Sequence, residues 1–554
     1  LTPMLCSRLL KREETRHPLY NLLERGFQYL DSTYRRILGW VTRHRFVTVL
    51  IAFASFGAGI ALLPFIGKEF NTSDDESRFF LRFELATGTS IYETEKRLQE
   101  IERIVFSQPE VSHGFAAVGM GGGEVNKGVM AVLLKSRQER KLHQVEVMER
   151  LRDLLDPFED MTTSVEYMAI VGGSGRNADI EYIIQGPDLE RLSEVSNRIV
   201  PTLEGLGGFV DVDTNLRITK PEVKVSIDRG LADDLGVDVR SISQAIYTLF
   251  GGADAAKFKE GGERYDIRVR ALPSDRDSPE DMYQIAVRSL GGTLVKAPNL
   301  LKIEVGHGPN VVNRFNRRRA VTLYANLEDK PLGQALDELE ETTKEIIPRD
   351  GNWGTGTVGK TRGFQETFTY LGYALIVAVL IIYMILAAQF ESFIHPLTVM
   401  LSLPLSFVGV FGLLLLTGNT LNILSYIGII MLIGIVTKNS ILLVDYTNQL
   451  RSRGMEKVEA VLQAGPTRFR PILMTAGSTI VAVLPVALGV SEGGESRAPM
   501  AVAVIGGMFT STFLTLLVIP VVYLLLDDVA SWLRRRFRGS TVQAAGQEAT
   551  ETPS

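Results

Sequence analysis

The feature that most constrains this chain is a membrane-length apolar run at residues 421–446, LNILSYIGIIMLIGIVTKNSILLVDY, with a lysine set inside it. About 20 apolar residues cross a hydrocarbon core as a helix, the form that satisfies every backbone polar group without water. Lys438 therefore falls within the span, where an ammonium costs about 2.5–3.5 kcal/mol. Such a charge persists beside a counter-charge or a water-filled path, and in transporters it marks ion coupling. The plainer alternative is a lysine that snorkels to a headgroup. Asp445 is the run's one carboxylate; seven residues on, it shares the lysine's face but stands about 10 Å away along the axis. No other apolar run carries an acid near its middle, so the partner of Lys438 is expected outside this sequence.

With 554 residues, 22% of them charged, and a mean hydropathy of +0.11, the chain mixes membrane and soluble parts. A net charge of −5 argues against a nucleic-acid partner. One cysteine, Cys6, allows no internal disulfide, and the six histidines lack metal-ligand spacing, so no cofactor is expected. The opening LTPMLCSRLL resembles no signal peptide and suggests a fragment of a longer chain.

Residues 1–45 are polar and basic, and 46–67 form a first span. Five more apolar runs follow a long mixed region, at about 368–388, 396–417, 421–446, 471–490 and 499–526. The basic residues of 1–45, of the connection 447–470 and of the tail belong on the cytoplasmic side by the positive-inside rule. The insert 68–362 and the loop 491–498 then lie on the far side. The expected fold is an α-helical polytopic membrane protein with six transmembrane helices and a large α+β insert.

Within the insert, strands are expected at 78–85, 128–134 and 163–170 and helices at 91–107 and 143–155. A second round has strands at 180–186 and 208–213, a helix at 189–206, and closing pieces at 320–327 and 332–347. This pattern predicts two split βαβ-type subdomains, 68–172 and 173–219 with 312–362, the second interrupted by a module at 220–311. Residues 363–526 complete the membrane domain and 527–554 the tail. In the module, a turn-rich arm is expected between a helix at 239–249 and a strand at 265–271. It suits docking to another protein, or is an ordinary surface loop.

Nearly all of the chain resembles the C-terminal half of the resistance–nodulation–division (RND) efflux transporters. The resemblance is carried by AAQFESFIHPLTVMLSLPL (387–405), the run 421–446, RFRPILMT (468–475) and VIGGMFTSTFLTLLVIPVVY (504–523). RNADIEYIIQGPDLERL (176–192) is similar to the hydrophobe/amphiphile branch. The resemblance implies a missing N-terminal half of the same chain, whose fourth span carries a proton-binding aspartate pair that Lys438 would meet. It also implies relay positions at Asn439, Arg468 and Thr475. Arg468 otherwise serves topology, Thr475 bonds its own helix, and Asn439 packs between helices.

By the same resemblance the subdomains are porter subdomains of a periplasmic domain and the module a docking domain. FAAVGMGGGEV (115–125) matches a switch loop, in which Phe115, Val118, Met120, Gly121, Gly122 and Gly123, with Met130, line the substrate path. The triple glycine suits a moving loop, and no Lys-Ser/Thr pair follows that would make it a phosphate cradle. Core or hinge roles are the alternative for these residues. The implied function is proton-driven export of hydrophobic or amphiphilic compounds from a bacterial inner membrane. The implied partners are a homotrimer, a periplasmic adaptor protein, an outer-membrane channel and membrane lipid. Two alternatives stay open: metal-ion export along Met120, Met130 and Met168, and a non-pump export accessory or lipid sensor. No nucleophile–base pair suggests an enzyme.

Overall fold

The computed structural model describes residues 4, 18–70, 75–119, 123–158, 160–168, 176–489 and 494–548. Six helices among them are long and apolar enough to cross a membrane: Arg45–Phe65, Gly359–Phe390, His395–Leu416, Ile423–Ser452, Lys457–Ala487 and Gly494–Trp532. In chain order these are the first to sixth spans. Half or more of the apolar windows of the third, fourth and sixth are buried, against 6% for the second. Small residues let those three approach closely. A Cβ on Gly409 of the third span would collide with the Gly506 carbonyl of the sixth, and one on Gly506 with the Gly409 carbonyl. Likewise Gly428 of the fourth span would meet the Met500 carbonyl at 2.7 Å.

The connection 447–470 is not a loop. The fourth span runs on to Ser452 and the fifth starts at Lys457, which leaves four residues, 453–456, between them. Charged residues extend these helices because water at the membrane surface solvates their heads while their stems lie along the helix. Several also tie these ends together. Arg451 pairs with Asp527 at 3.0 Å, Arg45 and Lys457 share Asp528, and Arg470 meets Glu24 at 2.9 Å. Glu24 lies on the helix Pro18–Arg43, whose Tyr34 stacks on Phe469 and donates to the Leu516 carbonyl at 3.0 Å.

The first extramembrane subdomain comprises β1 (Arg78–Leu85), helix Ile91–Phe106, β2 (Val111–Val118), β3 (Lys127–Leu134), helix Gln144–Leu155 and β4 (Met161–Tyr167). Strict alternation in β1 turns Phe79, Leu81, Phe83 and Leu85 inward, against Ile101, Val105, Met148 and Leu151 of the two helices. The sheet order is β2-β3-β1-β4, antiparallel throughout. Two βα units are interleaved here, so neighbours in the sheet run in opposite directions.

The second subdomain repeats this plan with β5 (Ile180–Gln185), helix Leu189–Gly205, β6 (Phe209–Thr214), β14 (Arg318–Leu327), helix Leu332–Ile346 and β15 (Gly354–Thr357). Its pairings give β6-β14-β5-β15, the same order position by position. A module interrupts it between β6 and β14. The module's stem is the pair β7 (Lys220–Ile227) and β12 (Leu301–Gly308), and its core gathers Val237, Ile242, Val287 and Leu300. The module also holds the short pair β10 (Ala286–Arg288) and β11 (Leu294–Lys296), and β13 (Arg314–Phe315) then pairs with the start of β14. The arm is a β-hairpin and not a turn-rich loop: β8 (Ala253–Glu260) pairs with β9 (Glu263–Val269). Gly261 and Gly262 take φ of +60° and +90°, the left-handed pair that a two-residue hairpin turn needs. The preceding helix ends at Ile246 and passes into a wider turn through Gly252.

The glycine contacts between spans give a direct test. Gly506→Ala should cost about 1–3 kcal/mol by overpacking, read as a lower melting temperature of the detergent-solubilised protein. Gly412→Ala, whose new methyl would meet Leu62 at an ordinary 3.9 Å, should leave the melting temperature unchanged.

Candidate functional site

The fourth span starts at a capping box in which Ser425 N–H donates to Asn422 and Asn422 N–H donates to Ser425. Lys438 follows about 22 Å further along the axis. The face towards the sixth span is buried through Leu432, Val436, Ser440 and Leu443. Ile427, Met431, Gly434 and Lys438, spaced by four, three and four, form a stripe that the described residues leave exposed. Among the described residues no carboxylate lies within 4.0 Å of the Lys438 ammonium. Asp445 accepts from Gln449 at 2.8 Å instead.

Arg468 of the fifth span lies over the Tyr446 ring, 4.7 Å from its centroid, and its buried Nε has no partner among the described residues. The two spans are antiparallel. Counting eight residues outward from that contact reaches Lys438 on one and Ala476 on the other, so Thr475 stands level with the lysine. Val436 and Ala476 fall in one packed cluster, as that register requires. The Thr475 hydroxyl donates to its own helix, to the Ile472 carbonyl at 3.0 Å. Asn439 is buried. Arg468 thus lies in the seam between the fourth and fifth spans, and Thr475 stands on the fifth at the height of Lys438 on the exposed stripe of the fourth.

The glycine segment differs from expectation. Phe115 and Val118 belong to β2, so the loop opens only at Gly119, whose φ of +62° favours glycine. Phe115 is exposed on the sheet edge, Val118 packs against the subdomain core, and Gly123 is exposed. Met130 on β3 is fully buried beneath the sheet, in the core of its subdomain. Met120, Gly121 and Gly122 lie outside the described residues, and Met168 follows β4.

Two open spaces lie between the two subdomains, and a larger one of about 760 Å³ lies within the second, among Tyr182, Glu340, Lys344 and Trp353. One cavity of about 340 Å³ is walled by Phe70, Met148, Glu149, Asp179, Glu328 and Asp329, among others. Its cations are already engaged: Lys360 with Asp179 at 2.6 Å, Lys330 with Glu338, and Arg152 with Asp211. Burial, with Glu328 and Asp329 nearby, pushes the Glu149 carboxyl above its usual range. Burial likewise raises Glu69, against a hydrogen bond from Thr420. A second cavity of about 240 Å³ lies among Arg82, Glu84, Arg176, Asp213 and Arg217.

A junction of hydrogen bonds joins the subdomains beside these cavities. Asp211 of β6 accepts from Arg152 Nε at 3.1 Å, from the Val165 backbone N–H at 3.2 Å and from Asn326 Nδ2 at 2.7 Å. Nothing in the sequence pattern singled out Asp211, Arg152 or Asn326; their roles come from pairing across strands.

A sequence profile described as the AcrB/AcrD/AcrF family matches residues 1–527. The chain belongs to that family, within the RND transporters. Two crystal forms of a heavy metal efflux pump are similar in structure, each with a TM-score of 0.77 over 91% of this chain, at 24% and 23% identity. The chain spans about half the length of those proteins, 53% and 52% of each. These likenesses carry the RND fold: six spans with an α+β region between the first and second.

The Glu149 environment predicts a pH dependence. A carboxyl whose folded pKa is raised favours the folded state at low pH and loses that contribution as pH rises through the raised value. Glu149→Gln should therefore stabilise the solubilised protein at neutral pH, and the difference should vanish in acid, read as melting temperature against pH.

Proposed function

We propose that this RND chain works in proton-driven export of hydrophobic or amphiphilic compounds, by antiport across a bacterial inner membrane. The observation that carries this reading is Lys438, a cation within a span, on a stripe that the described residues leave uncovered. Carboxylates from a segment outside the described residues would pair with it. The ammonium would then lower their pKa; their protonation would release it, and the spans would repack between two states. Arg468 and Thr475 of the fifth span, with Asn439, would serve the proton path.

In this reading the porter subdomains (68–172, and 173–219 with 312–362) lie in the periplasm and form the compound's path through the cleft between them. Phe115, Val118 and the loop Met120–Gly123 would border that path; Met130, as core, would not. The module 220–311 would dock neighbouring proteins, with a homotrimer, a periplasmic adaptor and an outer-membrane channel as partners. A second reading, metal-ion export, is favoured by the description of the two similar structures as a heavy metal efflux pump.

Lys438→Ala in the whole transporter should abolish export of an amphiphilic dye from cells while the amount of protein in the membrane stays the same. Dye export at the unmutated rate would overturn the coupling role. Cells carrying the unmutated protein should gain resistance to amphiphilic dyes and detergents. Resistance gained to silver or copper salts alone would establish the metal reading instead.

A further inference from the structure

We propose that helix Gln144–Leu155 is a strut that couples the sixth span to the junction between the two subdomains, with His143 and Arg152 as its attachment points. The helix carries a different, specific contact at each end. At its start, His143 is the N-cap: its Nδ1 accepts from Val145 N–H, and Glu146 returns the bond to the His143 backbone. An accepting Nδ1 leaves the proton on Nε2, which donates to Glu495 of the sixth span at 3.1 Å. Asp75 stands behind the ring, 3.8 Å from the same Nε2. It is bound by Arg140 and by the backbone N–H groups of Ser77 and Gln144. The Gln144 amide pairs with both backbone groups of Arg78, which pins the helix start to β1. The membrane contact is therefore made by a firmly held residue and not by a loose side chain.

Nine residues later, about 13 Å along the axis, Arg152 reaches the other end. Its guanidinium donates to Asp211 of the second subdomain and to the Val165 carbonyl at 2.8 Å. Val147, Met148, Leu151 and Leu155 bury the inner face between these points, so the helix cannot bend without opening the subdomain core. A displacement of the sixth span at Glu495 is thereby delivered to the Asp211 junction across the cleft. The strut's part in export rests on the transporter reading above; the mechanical link does not.

The link is tested by hydrogen exchange on the whole transporter in nanodiscs, followed at residues 163–167. Glu495→Ala removes the membrane contact, and so does His143→Asn, which keeps an N-cap. Each should speed exchange of the Val165 amide about fivefold or more, while exchange in the β1–β3 pairing stays as in the unmutated protein. Unchanged Val165 exchange in both single variants would overturn the strut. So would exchange that rises throughout the subdomain, since that is general loosening. In export assays both single variants should lower the maximal rate about tenfold at unchanged KM. If the unmutated protein exports nothing, the transporter reading fails and the exchange result still decides the strut.

Discussion

One carboxylate, that of Asp211, closes the gap between two sheets that would otherwise end side by side in unpaired strands. β4 is an edge of the first sheet, and the N–H and C=O of Val165 need partners there. Asp211 supplies the acceptor, while Arg152 and Asn326 supply donors to the carbonyl. Its aim comes from a bulge. The register of β6 on β14 slips so that Asp211 and Val212 oppose Ala325 alone, and Asp211 takes a φ of +52°. Left-handed backbone at a non-glycine costs on the order of 1 kcal/mol, which charge-assisted hydrogen bonds offset.

This junction decides how the two subdomains can move. Each has its own apolar core, one around Phe79, Ile101 and Leu151, the other around Ile184, Leu192 and Leu336. What crosses between them is ionic: Arg152 with Asp211 at 3.1 Å, Arg217 with Glu84 at 3.6 Å and Arg176 with Glu166 at 3.9 Å. Separating apolar surfaces exposes them to water at a cost proportional to area, whereas parted ions are solvated at once. A cleft joined by charges can open and close repeatedly without either subdomain losing its core.

The sequence made legible what periodicity and punctuation encode. The alternation of β1, the apolar faces of the helices between Ile91 and Leu206, and the six apolar runs all correspond to observed elements, though the second and fifth spans begin 9 and 14 residues before their apolar runs, at Gly359 and Lys457. β2 was illegible because an edge strand with half of its residues exposed, and with Gly114 in it, shows no alternation. β15, with the sequence GTGT, has no apolar residue at all. Antiparallel order was hidden because pairing is a long-range property, and Asp211 was hidden because a bulge depends on the partner strand. The charge on Lys438 was plain from the sequence; that Thr475 stands level with it required the register of two helices.

The repeat of one plan in both subdomains also explains where the module sits. In the first, the connection between the second and third strands is the short glycine segment 119–126; in the second, the corresponding connection is the whole module. A hairpin end tolerates such an insertion because the strands already bring its two ends together, and the β7–β12 stem continues that closeness outward. The stem does not hang free. Asn310, just beyond it, donates through Nδ2 to Thr87 just after β1, and its backbone N–H bonds the Arg217 carbonyl. Thr87 also meets Thr219 on the other side of the stem. The module's root is therefore held by both subdomains at once, so relative motion across the cleft reaches it by a second route, independent of the Asp211 junction.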